Sequence, residues 1–210
     1  MHKALVLVAA ACLGLATSAL ADGTVTQASA PSPTSMGLLG QTFAGLDYSY
    51  VHLGNSPVSA DRYSFEYNQP LTVGFDAVFN YDRTQNGLLA GDRGYSQNVH
   101  ATLRAFNTAF TWGKPYVEAG LGYDWTKYSG VHDHSLAVIG GVGIEFQAAT
   151  ALTITPFLRY TELNGLPDHH LAEYGVKANY WVTKQLALTA GISRNDSQDM
   201  SYKMGVNVRF

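Results

Sequence analysis

The sequence has almost no cysteine. Among its 210 residues only Cys12 occurs, in an apolar stretch near the N-terminus that we expect to be removed during export. The mature chain then has no thiol, which excludes a disulfide framework, a thiolate nucleophile and a zinc–thiolate site.

Charge is also scarce, and its sign does not suit binding to phosphate backbones. Charged residues make up 14% of the chain, and the formal net charge is −3. Nucleic-acid-binding domains carry a basic patch or stripe, so we expect no nucleic-acid partner. No Gly-x-Ser-x-Gly, His-Glu-x-x-His or phosphate-loop motif occurs. We therefore expect neither an enzyme nor a bound cofactor.

Long apolar runs are confined to the start of the chain. His2 and Lys3 precede an apolar run from Ala4 to Ala16, and small residues follow up to Ala21. This pattern predicts a secretory signal peptide at residues 1–21, cleaved after Ala21. The run is too short to span a bilayer as a helix, and nothing similar recurs downstream, so we expect no helical membrane anchor.

From residue 41 to the C-terminus, nearly every segment alternates between apolar residues and polar or small ones. In the last segment, five apolar residues alternate with four polar or small ones: Tyr202, Met204, Val206, Val208 and Phe210 with Lys203, Gly205, Asn207 and Arg209. A period of 2 predicts β-strands with one apolar and one polar face. The sequence therefore predicts an all-β fold.

The number of strands depends on residues 62–83. Asn68–Leu71 is either a turn or an interruption in one long strand. Proline cannot donate to a β-ladder, so Pro70 favours a turn, which gives ten strands in all. Eight strands is the alternative, if a weakly alternating segment does not pair.

The last strand ends directly on an aromatic residue. This resembles the C-terminal strand of bacterial outer-membrane β-barrel proteins, in which a terminal Phe is the signal for the barrel assembly machinery. Residues 41–210 as a whole resemble the small members of that group, the outer membrane protein A-like and opacity-type porins. The resemblance implies a transmembrane, antiparallel, up-and-down β-barrel of even strand number in the outer membrane, with Phe210 as assembly signal.

The same resemblance implies the partners: outer-membrane lipid, and the barrel assembly machinery through the C-terminal strand. We expect a monomer. A soluble β-sandwich or lipocalin-like barrel is the structural alternative, and it would place the apolar face inside and the charges outside. The chain has 13 Tyr, 9 Phe and 3 Trp, and so many large Tyr side chains beside Leu and Val would be hard to close into one core.

The chain before the barrel differs in composition. Residues 22–40 are rich in Ser, Thr, Pro and Gly and show no periodicity. We expect a flexible periplasmic lead-in there. Between the strands, short connections alternate with longer ones, as in such barrels. The short ones are expected near 68–71, 112–114, 148–150 and 182–184, and the long ones near 54–61, 84–96, 127–134, 164–170 and 195–200.

The polar faces of the strands carry charges of both signs. If those faces line the interior of the barrel (the lumen), the inward charges include Asp47, Glu66, Asp76, Arg104, Glu118, Asp124, Glu145, Arg159, Glu173, Lys177, Lys203 and Arg209. Unpaired charges in a narrow interior are costly, so we predict ion pairs that fill the lumen as a polar core. A narrow aqueous pore is the alternative, because a ten-stranded barrel leaves slightly more room than an eight-stranded one.

Aromatic residues near strand ends predict two girdles at the membrane interfaces. The outer girdle would contain Tyr50, Tyr81, Tyr123, Trp125 and Tyr160. The periplasmic girdle would contain Tyr67, Tyr116, Tyr180, Trp181 and Phe210.

Histidines cluster in two of the predicted long loops. His132 and His134 flank Asp133, and His169 and His170 follow Asp168. His and carboxylate side chains can bind a transition metal, so these four His are weak candidate ligands, although we expect ordinary surface loops.

The expected role is structural, or that of a minor porin at the cell surface. One alternative is a narrow diffusion channel whose selectivity is set by the inward charges. The other is a surface-loop function: an adhesin, a metal-binding protein, or a rim hydrolase similar to the omptin proteases, which are also ten-stranded barrels with Asp and His groups at the outer rim. This chain is shorter than an omptin and has no matching motif.

Overall fold

The structure is a computed structural model that describes residues 37–54, 58–86, 94–128, 131–164 and 170–210. In these residues the chain forms ten β-strands: β1 Phe43–His52, β2 Ser59–Thr72, β3 Phe75–Asn86, β4 Tyr95–Phe106, β5 Lys114–Tyr128, β6 Val131–Ala149, β7 Leu152–Asn164, β8 His170–Trp181, β9 Leu186–Asn195 and β10 Met200–Arg209. Each strand pairs antiparallel with its neighbours in the chain, and β1 pairs with β10. The closed ten-stranded barrel predicted from the alternation is confirmed.

The apolar faces of the strands point outward. Leu46 is 61% exposed and Leu121 is 64% exposed, whereas Asp47 and Glu118, which lie one and three residues away along the same strands, are buried. An apolar surface that surrounds the whole barrel is far larger than the patches that water-soluble proteins expose, and it matches the lipid-facing band of a transmembrane barrel. A soluble barrel would have the opposite arrangement.

Among the described residues, no helix is long and apolar enough to cross a membrane.

The connections at one end of the barrel, the short-turn end, are residues 73–74, 107–113, 150–151 and 182–185. The turn predicted at Asn68–Leu71 is wrong, because β2 continues to Thr72 and the turn lies at Val73–Gly74. Pro70 stays in the strand beside a register shift between Pro70 and Thr72. Such an irregularity close to a strand end tolerates the missing N–H of proline. The connection between β4 and β5 is longer than the predicted turn at 112–114.

The connections at the opposite end, the long-loop end, include one that is much shorter than predicted. Strand β5 ends at Tyr128 and β6 begins at Val131. The prediction of a long loop at 127–134 is therefore wrong, and His132 and His134 are strand residues that pair with Lys127 and Trp125. Both strands continue beyond the apolar part of the outer surface, and their residues there are polar. Polar residues are typical of loops, so the sequence predicted a loop at this place.

The chain before β1 differs from the prediction at its last residues. Residues 1–36, with the predicted signal peptide and most of the predicted lead-in, lie outside the described residues. Gly37–Gly40, however, pack inside the short-turn end of the barrel, where Leu38 is 5% exposed and Leu39 is 4% exposed. Leu38 belongs to an apolar cluster with Phe43 and Trp181. These four residues are thus not a free tether, and we call them the N-terminal plug.

Candidate functional site in the barrel lumen

Glu118 lies at the centre of the lumen and is 2% exposed. Arg104, its register partner on β4, donates from Nε and Nη2 to Glu118 Oε2 at 3.1 and 2.8 Å. Arg159 of β7 donates from Nε and Nη2 to Glu118 Oε1 at 3.0 and 2.9 Å. Each carboxylate oxygen therefore receives two charge-assisted hydrogen bonds from one guanidinium group.

Gly141 makes the second of these contacts possible. It lies on β6 between Glu118 of β5 and Arg159 of β7 in the pairing register. A Cβ atom at Gly141 would lie 2.9 Å from Glu118 Cγ and from Glu118 Oε1. Because Gly141 has no side chain, Glu118 can extend over β6 and reach Arg159 on β7.

Glu66 on β2 extends this network across the lumen. Its Oε1 lies 3.9 Å from Arg104 Nη1, and its Oε2 accepts a hydrogen bond from Lys177 Nζ at 3.3 Å. Strands β1, β10 and β9 separate β2 from β8, so the Glu66–Lys177 contact spans nearly opposite walls. One continuous chain of contacts, which we call the charge bridge, runs through Arg159, Glu118, Arg104, Glu66 and Lys177.

The other seven predicted lumen residues lie outside the charge bridge. Asp47 forms a separate ion pair with Lys203, with 3.5 Å between Oδ2 and Nζ. Glu173 accepts a hydrogen bond from the Ser193 hydroxyl at 2.6 Å. Asp124 lies opposite Asn98 in the register and makes no ion pair among the described residues.

Arg209 lies at the short-turn end. Its guanidinium group stacks 4.7 Å from the centre of the Trp181 ring and donates a hydrogen bond to the Lys184 carbonyl. It therefore contributes to the closure of that end and not to the bridge.

Glu145 connects the wall of the barrel to the N-terminal plug. Its Oε2 accepts the backbone N–H of Leu38 at 2.8 Å, and its Oε1 accepts that of Leu39 at 3.4 Å. Lys114 Nζ lies 3.8 Å from Glu145 Oε1 and donates to the Leu39 carbonyl at 3.2 Å. One ion pair on the wall thus binds both the N–H and the C=O groups of the plug.

Asp76 holds the other end of the plug. Its Oδ2 accepts the backbone N–H of Gly40 at 2.9 Å. Gly40 has a φ of +79°, a backbone conformation that residues other than glycine rarely adopt. Glu145 and Asp76 were predicted as lumen acids, but the alternation gave no signal that their partners are backbone groups of the preceding segment.

Two aromatic residues that were predicted for the periplasmic girdle point inward instead. Tyr116 is buried below the Arg104 guanidinium, 5.0 Å from it, and Trp181 is buried in the cluster with Leu38. Tyr116 lies two residues before Glu118 on the same strand, so the alternation itself carried the signal for its inward position.

A neutral polar cluster that the sequence reasoning did not single out lies on β8, β9 and β10. Asn207 Nδ2 donates to Asn179 Oδ1 at 3.0 Å and to Thr189 Oγ1 at 2.6 Å. Thr189 also donates to Asn179 Oδ1 at 2.9 Å. This part of the lumen is therefore filled without charge.

A cavity of about 120 Å³ remains between the plug and the charge bridge and along the wall. Leu38 and Leu39 line it at one end, and Arg62 and Asp82 line it toward the long-loop end. This space is large enough for several water molecules.

The structure does not gather the candidate metal ligands into one site. His134 points outward and stacks on Tyr123, with 6.1 Å between the rings, and His170 stacks on Tyr160 at the same distance. His132 is exposed on β6, and His169 lies outside the described residues. Within the part of the chain that the structure describes, no group of three or more His, Cys, Asp or Glu residues could hold a metal ion.

Phe210 follows β10 on the outer surface and is 75% exposed. Its backbone N–H donates to the Thr42 carbonyl at 3.0 Å, so the seam between β10 and β1 is closed up to the final residue.

Comparisons with known proteins agree with this fold. No protein-family model matches the chain, and no curated protein matches it in sequence. Among solved structures, the chain is similar to the translocator domain of the autotransporter NalP from Neisseria meningitidis, with a TM-score of 0.52 and 14% identity over 98% of this chain and 97% of that one. It is also similar to the NanC porin, with a TM-score of 0.53 and 11% identity over 80% of this chain and 100% of that one. At this identity the likeness concerns the fold alone, which is that of the outer-membrane β-barrels, as the sequence predicted.

Proposed function

We propose that this protein is a structural β-barrel of the bacterial outer membrane whose lumen is closed to solutes. The apolar outer surface and the fold support the location. In barrels of this kind short turns face the periplasm and long loops face the cell exterior. The N-terminal plug then closes the periplasmic end, and the charge bridge closes the middle.

The Glu66–Lys177 contact carries this proposal. It joins nearly opposite walls of the barrel at 3.3 Å, and both side chains belong to one connected set of ion pairs. A wide aqueous channel would need the two walls to be separated by water. A role as a minor porin would therefore require the bridge to open.

Solute flux tests the proposal directly. The refolded protein is placed in liposomes, and the efflux of potassium ions and of a small neutral sugar is followed, with a heat-dependent shift in gel migration as the folding control. We expect no flux above that of empty liposomes. Flux that requires the folded barrel would overturn the proposal.

A narrow diffusion channel is the second candidate, and the polar-lined cavity of about 120 Å³ favours it. In that case ions pass and the sugar does not, and neutralising Arg104 or Glu118 changes the ratio of cation to anion flux. Asp124→Asn is the matched control, because Asp124 faces the lumen outside the bridge. Equal ion selectivity in all variants would exclude this candidate.

We further propose that the protein is a monomer without a cofactor and that the barrel assembly machinery recognises its C-terminal strand. The closed β1–β10 seam supports a monomer, because it leaves no strand edge for a second chain. Removal of Phe210 is expected to lower the yield of heat-modifiable barrel in the outer membrane. An unchanged yield would contradict the role of Phe210.

A further inference from the structure

The outer surface of β3–β6 changes from apolar to polar near the long-loop end. The change falls at one register row in β3, β4 and β6, and one row later in β5, where Trp125 precedes Lys127. Below the change, two rows are apolar or aromatic: Phe79, Ala101, Leu121 and Val138, then Tyr81, Val99, Tyr123 and Leu136. The next two rows toward the long-loop end contain Arg83, Gln97, Trp125 and His134, then Gln85, Tyr95, Lys127 and His132. The change within two adjacent rows of all four strands marks the border between lipid tails and headgroups on this side.

The polar rows contain basic side chains and no carboxylate. Four basic residues lie on the outward face of their strands: Arg83, Lys127, His132 and His134. Asp133, between the two His, lies on the inward face. We call these four residues the basic rim patch. The nearest outward carboxylate in the same register is Asp61 on β2, which accepts a hydrogen bond from the Tyr48 hydroxyl at 2.6 Å.

Aromatic rings support the patch from within the sheet surface. Arg83 lies over the Tyr95 ring, 5.4 Å from its centre, and Arg83 Nε has no hydrogen-bond partner among the described residues. His134 stacks on Tyr123, which packs against Trp125 at 5.8 Å. Arg83 and His134 are thus held at the border by stacking, and neither Arg83 nor Lys127 forms an ion pair with a described residue.

The neighbouring part of the rim, on β7–β9, is compensated. Glu162 is the register partner of His170, and His170 Nε2 lies 3.8 Å from Asp196 Oδ2. Arg194 on β9 is the outward base nearby. The two parts therefore differ in net charge at the same end of the barrel.

We propose that the basic rim patch binds the phosphate groups of phosphorylated lipids in the outer leaflet. Neighbouring strands are about 4.8 Å apart, and two residues span about 6.8 Å along a strand. Arg83 on β3 and Lys127 on β5, which lie in adjacent rows, are therefore spaced by roughly 12 Å, and their long side chains can approach one headgroup from two sides. Guanidinium and ammonium groups are the usual partners of phosphate oxygens. The apolar rows directly below accept the acyl chains of the same lipid. This inference rests on membrane insertion of the barrel and not on closure of its lumen.

Lipid retention measured by native mass spectrometry tests the inference. The folded full chain, in a nonionic detergent, is titrated with dioleoyl phosphatidic acid, with dioleoyl phosphatidylcholine and with dioleoylglycerol. We expect phosphatidic acid to be retained best. Each basic residue near an anionic lipid surface contributes about fivefold to affinity, so the Arg83→Gln/Lys127→Gln variant is expected to bind phosphatidic acid roughly 25-fold more weakly.

The Lys184→Gln/Arg194→Gln variant is the matched control, because it removes the same charge outside the patch. Equal losses in the two variants would show a net-charge effect and overturn the inference. Equal retention of phosphatidic acid and phosphatidylcholine by the unmodified protein would also overturn it, as would complete displacement of the lipid by an equimolar amount of inorganic phosphate. A heat-dependent gel shift establishes that every variant is folded, which separates loss of the site from loss of the barrel.

Discussion

The charge bridge and the N-terminal plug both close the lumen, but they do so by different chemistry. The bridge joins side chains of five strands through ion pairs, with Glu118 at its centre. The plug is held by backbone N–H groups that donate to Glu145 and Asp76 and by the packing of two leucines. The bridge therefore consists of side chains of the barrel strands themselves, whereas the plug is a separate segment seated against the wall.

Because of this difference, we expect the bridge to determine the stability of the whole barrel and the plug to determine the opening of its short-turn end. A buried ion pair that loses one partner leaves an uncompensated charge, which typically costs about 3–5 kcal/mol. The loss of one hydrogen bond to the plug leaves every strand pairing intact. Mutations in the bridge should therefore lower the free energy of unfolding of the whole barrel, and mutations around the plug should change the local opening of residues 37–40.

The largest effect is expected for Glu118→Ala. It leaves Arg104 and Arg159 buried without their shared partner, so the free energy of unfolding should fall by about 3–5 kcal/mol. Urea unfolding in lipid vesicles, followed by tryptophan fluorescence, measures it. Asp124→Asn is the control and should change stability by less than about 1 kcal/mol, because Asp124 makes no ion pair with a described residue. Similar losses in both variants would show that the bridge contributes no more to the free energy of unfolding than a lumen carboxylate outside it.

A smaller effect is expected for Gly141→Ala. The new Cβ would lie 2.9 Å from Glu118 Cγ, so the carboxylate must move away from Arg159. Overpacking of this kind costs about 1–3 kcal/mol. Gly191→Ala is the matched control on the lumen face of β9, where the nearest atom would be the Val176 carbonyl oxygen at 3.2 Å. The comparison fails if Gly191→Ala is the more destabilising of the two in the same urea experiment.

The sequence predicts the charge bridge better than the N-terminal plug. Alternation with period 2 is a local property, so the residue pattern alone is enough to place Glu118, Arg104 and Arg159 on the inward face. Which of them meet depends on register across several strands, and register depends on the turns. Two connections were misplaced, because Pro70 lies in an irregular strand end and because His132 and His134 lie on a strand beyond the apolar surface.

The plug could not be predicted from the same pattern. Leu38 and its partner Glu145 are 107 residues apart, and residues 37–40 show no periodicity that would place them inside the barrel. A flexible lead-in was the natural expectation for a stretch rich in Gly, Ser and Pro. The two adjacent leucines between glycines are the only local feature of the sequence that distinguishes the plug from the residues before it.

The most local effect is expected for Glu145→Gln. The amide keeps one acceptor oxygen for Leu38 or Leu39, but it loses the charge that strengthens those bonds and the ion pair with Lys114. Hydrogen bonds to charged groups contribute about 1.5–3 kcal/mol each, so amide hydrogen exchange at Leu38 and Leu39 should accelerate by roughly tenfold or more. The unfolding midpoint in urea should change much less than in Glu118→Ala. Glu162→Gln, which removes an acid from the outer face, controls for net charge and should leave the exchange of both amides unchanged. Loss of global stability in Glu145→Gln equal to that in Glu118→Ala would mean that the plug stabilises the whole barrel as much as the bridge does, and the distinction between the two closures would not hold.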